Sequence, residues 1–198
     1  MHGAAPVLRY ASVMIQKEPT RAVAGLSYAV REATLEDATF LTECRRRMFE
    51  EMDVGSETTD AAGEAFVAYV HRELSARAFF AYVAEADGAP IGSAAAFVHE
   101  TVPMQLNPSR RVGRIVNVFV EPAWRRRGVA SAVVAAVMER LREEGVGAAA
   151  LAATEDGAPV YERLGFEHYD EMRAVLLPVD EPAGERPKAA GDDEGSDS

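Results

Sequence analysis

The segment of the sequence with the clearest chemical meaning is a turn of arginine, glycine and small residues, Arg125-Arg126-Arg127-Gly128-Val129-Ala130. It separates a β-branched run that ends at Val120 from a stretch with helical spacing of apolar residues. The first N–H groups of a helix have no partner within the helix, and the helix dipole favours an anion there. Gly128 and Ala130 let a phosphate approach the backbone closely, and the arginines add positive charge. The turn therefore indicates a pyrophosphate site. A basic helix entrance without a ligand is the alternative, because short glycine motifs have low specificity.

Other side chains that could react lack the neighbours that reactivity needs. Cys44 is the single cysteine, so it has no partner for an internal disulfide. Its apolar helical neighbours favour core packing over a role as nucleophile, because no histidine or arranged base is suggested beside it. The histidines show no metal-ligand spacing, so no metal site is predicted. They are His2, His71, His99 and His168.

Composition limits the classes of protein to which the chain could belong. Its 198 residues suit one domain, and 48% of them are hydrophobic, which argues against a wholly disordered chain. The formal net charge of −11 argues against nucleic-acid binding, which needs a basic face. No apolar run approaches the roughly 20 residues that cross a bilayer, and the first residues lack the pattern of a signal peptide. We therefore expect a soluble, cytoplasmic protein that binds neither nucleic acid nor a membrane.

The distribution of apolar residues divides the chain into three segments. Residues 1–26 have weak periodicity, so we expect them to be flexible or loosely attached. Residues 180–198 are acidic and rich in Pro, Gly and Ser, and they cannot bury enough apolar surface to offset the entropy of ordering. The folded domain is predicted to span residues 27–179, followed by a disordered acidic tail.

The elements that must position the turn alternate between strand and helix patterns. The Asp87-Gly88 pair predicts a tight β-hairpin, and Thr34 with Asp37 three residues later is typical of the capping box that begins a helix. Residues 101–113 contain two prolines, an asparagine and a glycine, so an exposed loop is expected. The mixture of strands and helices indicates a layered α/β or α+β domain. The predicted strands are 28–31, 78–86, 91–100, 114–120, 148–153 and 172–179, and the predicted helices begin near Thr34 and span about 59–77, 128–144 and 157–164.

Two motifs that flank the turn resemble the GCN5-related N-acetyltransferase (GNAT) superfamily. Val116-Asn117-Val118-Phe119-Val120-Glu121-Pro122-Ala123-Trp124 precedes the turn, and Tyr161-Glu162-Arg163-Leu164-Gly165-Phe166 follows it. The family's Q/R-x-x-G-x-G/A motif appears here as R-R-R-G-V-A. The resemblance covers roughly Tyr28–Leu177 and is strongest over Asn117–Phe166.

The resemblance implies a mixed, mostly antiparallel twisted sheet of about six to seven strands, flanked by about four helices and splayed at the fourth core strand. Acetyl-CoA would lie in the opening as co-substrate, with its pantetheine arm paired to backbone groups of Val118, Phe119 and Val120. Tyr161 would be the general acid that protonates the departing thiolate; a core tyrosine that anchors the last helix is the alternative. The residues expected at the pyrophosphate are Arg125, Arg126, Arg127, Gly128, Val129, Ala130 and Ser131.

The sequence departs from the family pattern at two places. Some members carry a glutamate on the fourth or fifth core strand as general base, but Arg114 and residues 148–150 occupy those stretches here. Thr154 stands where the family often has an asparagine that contacts the cofactor. No base is therefore carried over from the family, and the cofactor contact at Thr154 is in doubt.

Several polar residues near strand ends are candidates for the missing role. Asn117 could orient a water or the acceptor, or it could be a polar strand residue whose hydrogen bonds are satisfied. Glu121 could act on a proton, or it could shape the junction between strand and turn. Water or an already neutral amine could also replace a protein base. Further candidate bases are Glu85, His99 and Glu100.

The activity expected from the resemblance is acetyl or acyl transfer from acetyl-CoA to a primary amine of a small molecule or peptide, by direct attack. The missing base motivates an alternative, a non-catalytic CoA-binding regulatory or interaction domain, and the acidic tail motivates a third, a scaffold. In this family acceptor choice lies in the first two helices and in the loop at residues 101–113. Homodimers are common in the family, so a homodimer is allowed, although no interface is specified.

Overall fold

A five-stranded sheet organises the part of the chain that the structure describes, and its strand order follows the sequence, β1-β2-β3-β4-β5. In the computed structural model the described residues are 27–52, 60–76, 78–103, 105 and 107–169. Strands β1 to β4 are antiparallel neighbours, whereas β5 joins β4 in parallel. The strands are β1 (Ala29–Glu32), β2 (Phe79–Ala86), β3 (Ala89–Glu100), β4 (Arg111–Val120) and β5 (Ala148–Ala150), and the helices are α1 (Ala38–Glu51), α2 (Asp60–Ala76), α3 (Val129–Glu143) and α4 (Ala158–Arg163).

This mixed, mostly antiparallel sheet with its helices confirms the predicted fold class. The described sheet has five strands, slightly fewer than the six to seven expected. The strand predicted at residues 172–179 lies outside the described residues, as do the N-terminal segment 1–26 and the tail 180–198. Described residues up to Phe166 belong to one unit, and the last three belong to a second. The domain boundaries remain predictions.

The hairpin of β2 and β3 shows how local sequence sets the register of the sheet. Asp87 and Gly88 adopt positive φ angles of 50° and 77°. Two consecutive residues of this kind make a turn whose twist matches that of the strands it joins, and Asp tolerates the conformation better than most residues. The hairpin predicted from this pair is confirmed.

Helices cover both faces of the sheet, and each covered face has its own apolar cluster. On one face, which we call the α3 side, Val133 and Val137 are fully buried against β3 and β4. On the other, the α1/α2 side, Leu41 and Val70 pack against Val83 of β2. The helical spacing of these residues in the sequence reflects this arrangement, because each helix buries one apolar stripe.

The capping contact predicted at Thr34 begins a single 3-10 turn, Leu35–Asp37, which leads directly into α1 at Ala38. The backbone N–H of Thr34 donates to Asp37 Oδ2 at 2.8 Å. Asp37 also accepts hydrogen bonds from Nη1 and Nη2 of Arg31 at 2.8 and 2.9 Å, which tie β1 to the start of α1. These bonds, with that to Arg31 the largest cause, lower the pKa of the Asp37 carboxyl.

Two strand boundaries near the site differ from the predicted ones. β4 begins at Arg111, within the predicted loop, because Arg111 to Gly113 pair with the end of β3. Gly113 suits this position because a Cβ there would lie 2.5 Å from Leu141 Cδ1 of α3. β5 ends at Ala150, three residues before the predicted end, where its pairing with β4 also ends. Both boundaries are set by pairing with a strand that is distant in the sequence, and the local sequence does not reveal that pairing.

Candidate active site

The turn before α3 leaves a row of backbone N–H groups without protein partners. Arg126 and Gly128 adopt positive φ angles of 60° and 82°, whereas Arg127 between them does not. Alternation of this kind turns successive N–H groups toward one concave side, which binds anions. The N–H groups of residues 126–131 donate no hydrogen bond to a described residue, and Gly128 at the N-cap has no side chain that could accept one. The geometry matches an anion site at a helix N-terminus.

The turn lies close against the sheet because of Gly92 in β3. This residue pairs with Val120 at the end of β4. A Cβ on Gly92 would lie 2.9 Å from the carbonyl O of Phe119 and 3.1 Å from Cγ1 of Val129, the first residue of α3. A side chain here would therefore separate the start of α3 from the end of β4.

The three arginines of the turn have different surroundings. Arg125 folds back on the protein, where its Nε donates to the last carbonyl of β4 at 3.0 Å and its Nη2 contacts both carboxylate oxygens of Glu51 at 2.6 and 2.8 Å. The guanidinium of Arg127 lies 5.5 Å from the ring centroid of Trp124. Arg126 is exposed and forms no ion pair with a described residue. Arg126 therefore offers its side-chain charge to an anion, whereas the side chain of Arg125 is held by Glu51 and its backbone N–H donates to the carbonyl O of Pro122 at 3.3 Å.

β4 has strand partners on both sides only at its beginning. β5 pairs with residues 112–114 and then ends. From Ile115 onward, this edge of β4 has no strand beside it within the described ranges. The opening is the splay predicted at the fourth core strand. It leaves backbone groups of the second half of β4 open to an extended ligand. That half contains half-buried Val118 and buried Phe119 and Val120.

A β-bulge in β4 changes which side of the sheet its residues face. The register against β3 shifts so that Asn117 and Val118 together lie opposite Ala94. Asn117 takes the left-handed conformation with φ 54°, which Asn tolerates better than most residues with a side chain. Val116 packs against the α1/α2 side, and Asn117 also contacts α1. The bulge therefore places two successive residues on the same side.

Asn117 contacts α1 through an arginine. Nη1 of Arg45 donates to Asn117 Oδ1 at 3.0 Å, and the guanidinium lies over the rings of Phe49 and Phe66 at 4.4 and 4.9 Å from their centroids. Asn117 is 6% exposed. Its Nδ2 donates no hydrogen bond to a described residue. One end of the amide is thus bonded to the protein, and the other is not.

Glu121 lies at the junction of β4 and the turn. Nη1 of Arg47 donates to Glu121 Oε1 at 2.6 Å, and the same guanidinium lies 4.8 Å from the ring centroid of Phe119. The backbone N–H of Glu121 donates to the carbonyl O of Ile91 at 2.9 Å. These contacts favour the alternative in which Glu121 shapes the junction between strand and turn.

Tyr161 lies on α4 and packs against the α3-side cluster, to which Val118 and Val129 also belong. Its ring meets the ring of Phe166 edge-on, with centroids 6.0 Å apart. Burial raises the pKa of the Tyr161 phenol above its ordinary value. The hydroxyl therefore keeps its proton at neutral pH, which is the state that a general acid needs.

The remaining candidate bases do not gather at the turn. Glu85 forms an ion pair with Arg31 at 3.0 Å. His99 and Glu100 are exposed at the end of β3 opposite to Gly92, and Glu100 lies 3.7 Å from an arginine of the following loop. None of these three residues therefore places a carboxylate or an imidazole close to the unpaired N–H groups.

Two residues singled out in the sequence have structural contacts. Oγ1 of Thr154 accepts a hydrogen bond from the N–H of Gly157 at 3.2 Å, so it stabilises the turn before α4. Cys44 is 1% exposed, and burial raises the pKa of its thiol to about 12, an effect that the neighbouring Ser93 hydroxyl partly offsets. Both observations favour structural roles.

Helix α1 supplies side chains to this region that sequence reasoning missed. Arg45, Arg47 and Glu51 contact the bulge, the strand end and the turn respectively. One signal was present, because Arg45 directly follows Cys44 on the predicted apolar face. A charged residue at the border of a buried face is a candidate for contact with a neighbouring element.

The described ranges contain no candidate for a metal site or for a membrane-spanning helix. No group of three or more His, Cys, Asp or Glu there could hold a metal ion. None of the helices in those ranges combines the length and the apolar character that a membrane span requires.

Comparison with known proteins adds a family to this geometry. Residues 39–166 match the acetyltransferase (GNAT) family. A curated relative, the glucosamine 6-phosphate N-acetyltransferase of Trypanosoma brucei brucei, is 33% identical over 90 residues, which are 45% of this chain and 59% of the relative. The chain thus spans less than two thirds of that relative's length.

Solved structures share the fold. A GCN5-related N-acetyltransferase from Ralstonia eutropha has a TM-score of 0.70 and 29% identity, over 75% of this chain and 98% of its own. A "predicted acetyltransferase" from Clostridium acetobutylicum, solved with acetyl-CoA, has a TM-score of 0.69 and 25% identity, over 76% of this chain and 96% of its own. The resemblance drawn from residues 117–166 is confirmed.

Proposed function

Because the chain belongs to the acetyltransferase (GNAT) family, we propose that it transfers an acetyl group from acetyl-CoA to a primary amine of a small molecule or peptide. The observation that carries this proposal is the row of N–H groups at residues 126–131, which have no acceptor among the described residues. This row lies beside a strand edge that is open from Ile115 onward. An anion site next to an open strand edge suits a long ligand with a phosphate end and an amide-rich arm.

The residues of this region fit acetyl-CoA in type as well as position. Backbone N–H groups of residues 126–131 and the side chain of Arg126 would hold the diphosphate, which the dipole of α3 also favours. Backbone groups near Val118 would pair with the pantetheine arm. When bound, acetyl-CoA supplies the acyl group in activated form, as a thioester.

Two parts of the chain would act on the reacting atoms. A backbone N–H of β4 near Val118 would polarise the acyl carbonyl and stabilise negative charge on its oxygen as the amine adds. Tyr161 would give its proton to the departing sulfur, and its raised pKa keeps that proton available at neutral pH. Each role needs a group that is fixed before the reaction, and both groups lie on packed elements.

Removal of the ammonium proton would not need a carboxylate from this site. Glu121 and Glu85 are held in ion pairs with Arg47 and Arg31. We therefore propose that the acceptor enters as the neutral amine or loses its proton to water. The rate at a fixed total amine concentration would then rise with pH as the neutral fraction grows.

The name of the curated relative suggests which acceptors to try first. That protein is a glucosamine 6-phosphate N-acetyltransferase. Amino sugars and their phosphates are therefore the first acceptors for an activity screen, followed by simple amines and peptides.

A thermal titration of the full chain with acetyl-CoA tests the binding part of the proposal. Binding to the native state raises the free energy of unfolding by about 2.7 kcal/mol at a hundred times Kd. The effect should be lost in Gly128→Glu, which places a carboxylate at the row of N–H groups. Gly145→Glu is a matched control, because Gly145 also has a positive φ, follows the other end of α3 and has nothing within 4 Å of a Cβ.

The pair of variants separates the outcomes. Binding retained in a folded Gly128→Glu variant would refute the placement of the diphosphate. Loss of binding in both variants would point to backbone strain alone. Saturable binding without transfer to any amine of a broad panel would favour the alternative, a CoA-binding domain without catalysis.

A further inference from the structure

The orientation of the Asn117 amide is fixed by chemistry. A guanidinium has only donors, so the amide atom that faces Arg45 at 3.0 Å must be the oxygen, Oδ1. The NH2 group of Asn117 then points away from the arginine. It donates no hydrogen bond to a described residue. Its Nδ2 is also not among the buried side-chain atoms of the described ranges that are fully enclosed and lack a hydrogen bond. An almost fully buried side chain thus presents its donor to an accessible space.

Arg45 is itself held in place. Its guanidinium lies over the ring of Phe49 in α1 and over the ring of Phe66 in α2, at 4.4 and 4.9 Å from their centroids. Rings on two different helices restrict the rotamers of a long side chain and contribute cation–π attraction. A positive charge bonded to Oδ1 also polarises the amide, which makes Nδ2–H a stronger donor. The arginine therefore both orients and strengthens the donor of Asn117.

The bulge places this donor opposite the α3 side. Val118 and Tyr161 both pack against the α3-side cluster, whereas Asn117 faces α1. An acyl group lying at the open edge of β4 would thus meet Tyr161 from one side of the sheet and Asn117 from the other. An amine that approaches opposite Tyr161 would pass the Nδ2 donor.

We propose that Arg45 and Asn117 form a recognition pair that selects acceptors carrying an oxygen atom close to the amine. Asn117 Nδ2 donates a hydrogen bond to that oxygen, and Arg45 is a positioning residue that acts through Asn117. The acceptor class is that of amino alcohols, amino sugars and related amines, in preference to alkylamines. This inference rests on the proposed acetyl transfer.

Matched amines that differ by one oxygen test the pair. Ethanolamine and propylamine, or 2-aminocyclohexanol and cyclohexylamine, are compared by kcat/KM at equal concentrations of neutral amine. Wild type should prefer the oxygen-bearing member about tenfold, the value of one good hydrogen bond. The variant Asn117→Asp keeps an oxygen for Arg45 and tolerates positive φ, but it has no N–H donor, so it should lose the preference and keep its melting temperature.

Three further variants separate positioning from folding. Arg45→Met should lose the preference as Asn117→Asp does, and Arg45→Lys, which retains a donor for Oδ1, should recover part of it. Arg46→Met is the matched control on the next residue, because Arg46 contacts only Glu43 and Glu50 among described side chains on the surface of α1. It should leave the preference unchanged. If Asn117→Asp does not fold, Asn117→Gly removes the amide and allows the same backbone.

An NMR measurement decides the inference independently of turnover. The side-chain NH2 signals of Asn117, assigned by comparison with Asn117→Asp in nitrogen-labelled full chain, should shift with ethanolamine and not with propylamine, in the presence of CoA. Absence of any shift, or equal shifts and equal kcat/KM for both amines, would overturn the recognition pair. Failure of wild type to bind acetyl-CoA would instead overturn the proposed function, and the NMR shift would still decide the pair.

Discussion

The substitution Gly92→Ala should weaken both the stability of the fold and the binding of acetyl-CoA. The new Cβ would lie 2.9 Å from the carbonyl O of Phe119, closer than side-chain carbons are found to backbone oxygen, and 3.1 Å from Val129 Cγ1. The backbone of Phe119 cannot withdraw freely, because it pairs with Ser93 in the sheet. Overpacking of this kind costs about 1–3 kcal/mol. For a chain of this size, that lowers the melting temperature by about 2–4 °C per kcal/mol.

The same clash reaches the row of N–H groups, since Val129 is the first residue of α3. We expect the start of α3 to move away from β4. Kd for acetyl-CoA should therefore rise even under conditions in which the variant is fully folded. Denaturant unfolding and a calorimetric titration measure the two quantities. Gly63→Ala is the matched control, because it should change the free energy of unfolding in the opposite direction. Gly63 lies within α2 with nothing within 4 Å of a Cβ, so alanine there should stabilise the protein by about 0.5–1 kcal/mol. A Gly92→Ala variant as stable as wild type would refute the argument that this close approach positions the turn.

Two other substitutions and one labelling experiment have expected outcomes that follow from burial and hydrogen bonding. Tyr161→Phe should lower kcat by about a hundredfold or more with little change in melting temperature. The control is Tyr82→Phe in β2, which should leave kcat unchanged, although burial raises the pKa of Tyr82 as well. Equal effects of the two substitutions would contradict a role for the Tyr161 proton. The pKa of Asp37 is lowered in the folded state by Arg31, so its contribution is complete above the unfolded value of about 4 and is lost as the pH falls through the folded value. Asp37→Asn should therefore cost about 2 kcal/mol at neutral pH and should flatten the acid decline seen in urea melts; an unchanged decline would contradict this. Burial raises the pKa of Cys44 to about 12, so iodoacetamide should label the native thiol far more slowly than the unfolded one, and fast native labelling would argue against the buried position.

The features that the sequence predicts well are those set by neighbours in the chain. Asp87 and Gly88 form their turn because both tolerate positive φ, whatever lies elsewhere. The apolar residues of α3, among them Val133 and Val137, recur at helical spacing and are buried on one side. The turn motif also depends only on consecutive residues, so its position between strand and helix could be read directly.

The features that the sequence does not predict depend on distant segments. The ion pair between Arg125 and Glu51 joins residues 74 positions apart. It holds one of the turn's arginines against α1, which no local pattern reports. The left-handed Asn117 is likewise unreadable in a β-branched run, because the bulge exists only relative to the register of β3. Periodicity predicts a strand, and pairing decides where the strand departs from regularity.

The irregularity in β4 is what lets one strand serve two sides of the sheet. In a regular strand, Val116 and Asn117 would face opposite sides, and the amide would enter the α3-side cluster, where a polar group without partners is costly. The bulge instead places Asn117 against Arg45 and leaves Val118 in the apolar cluster with Tyr161. Both substrates of an acyl transfer must meet at one point from different directions. Because of the one residue that the bulge adds, β4 presents an apolar residue to one side and an oriented donor to the other at adjacent positions. That arrangement meets the requirement.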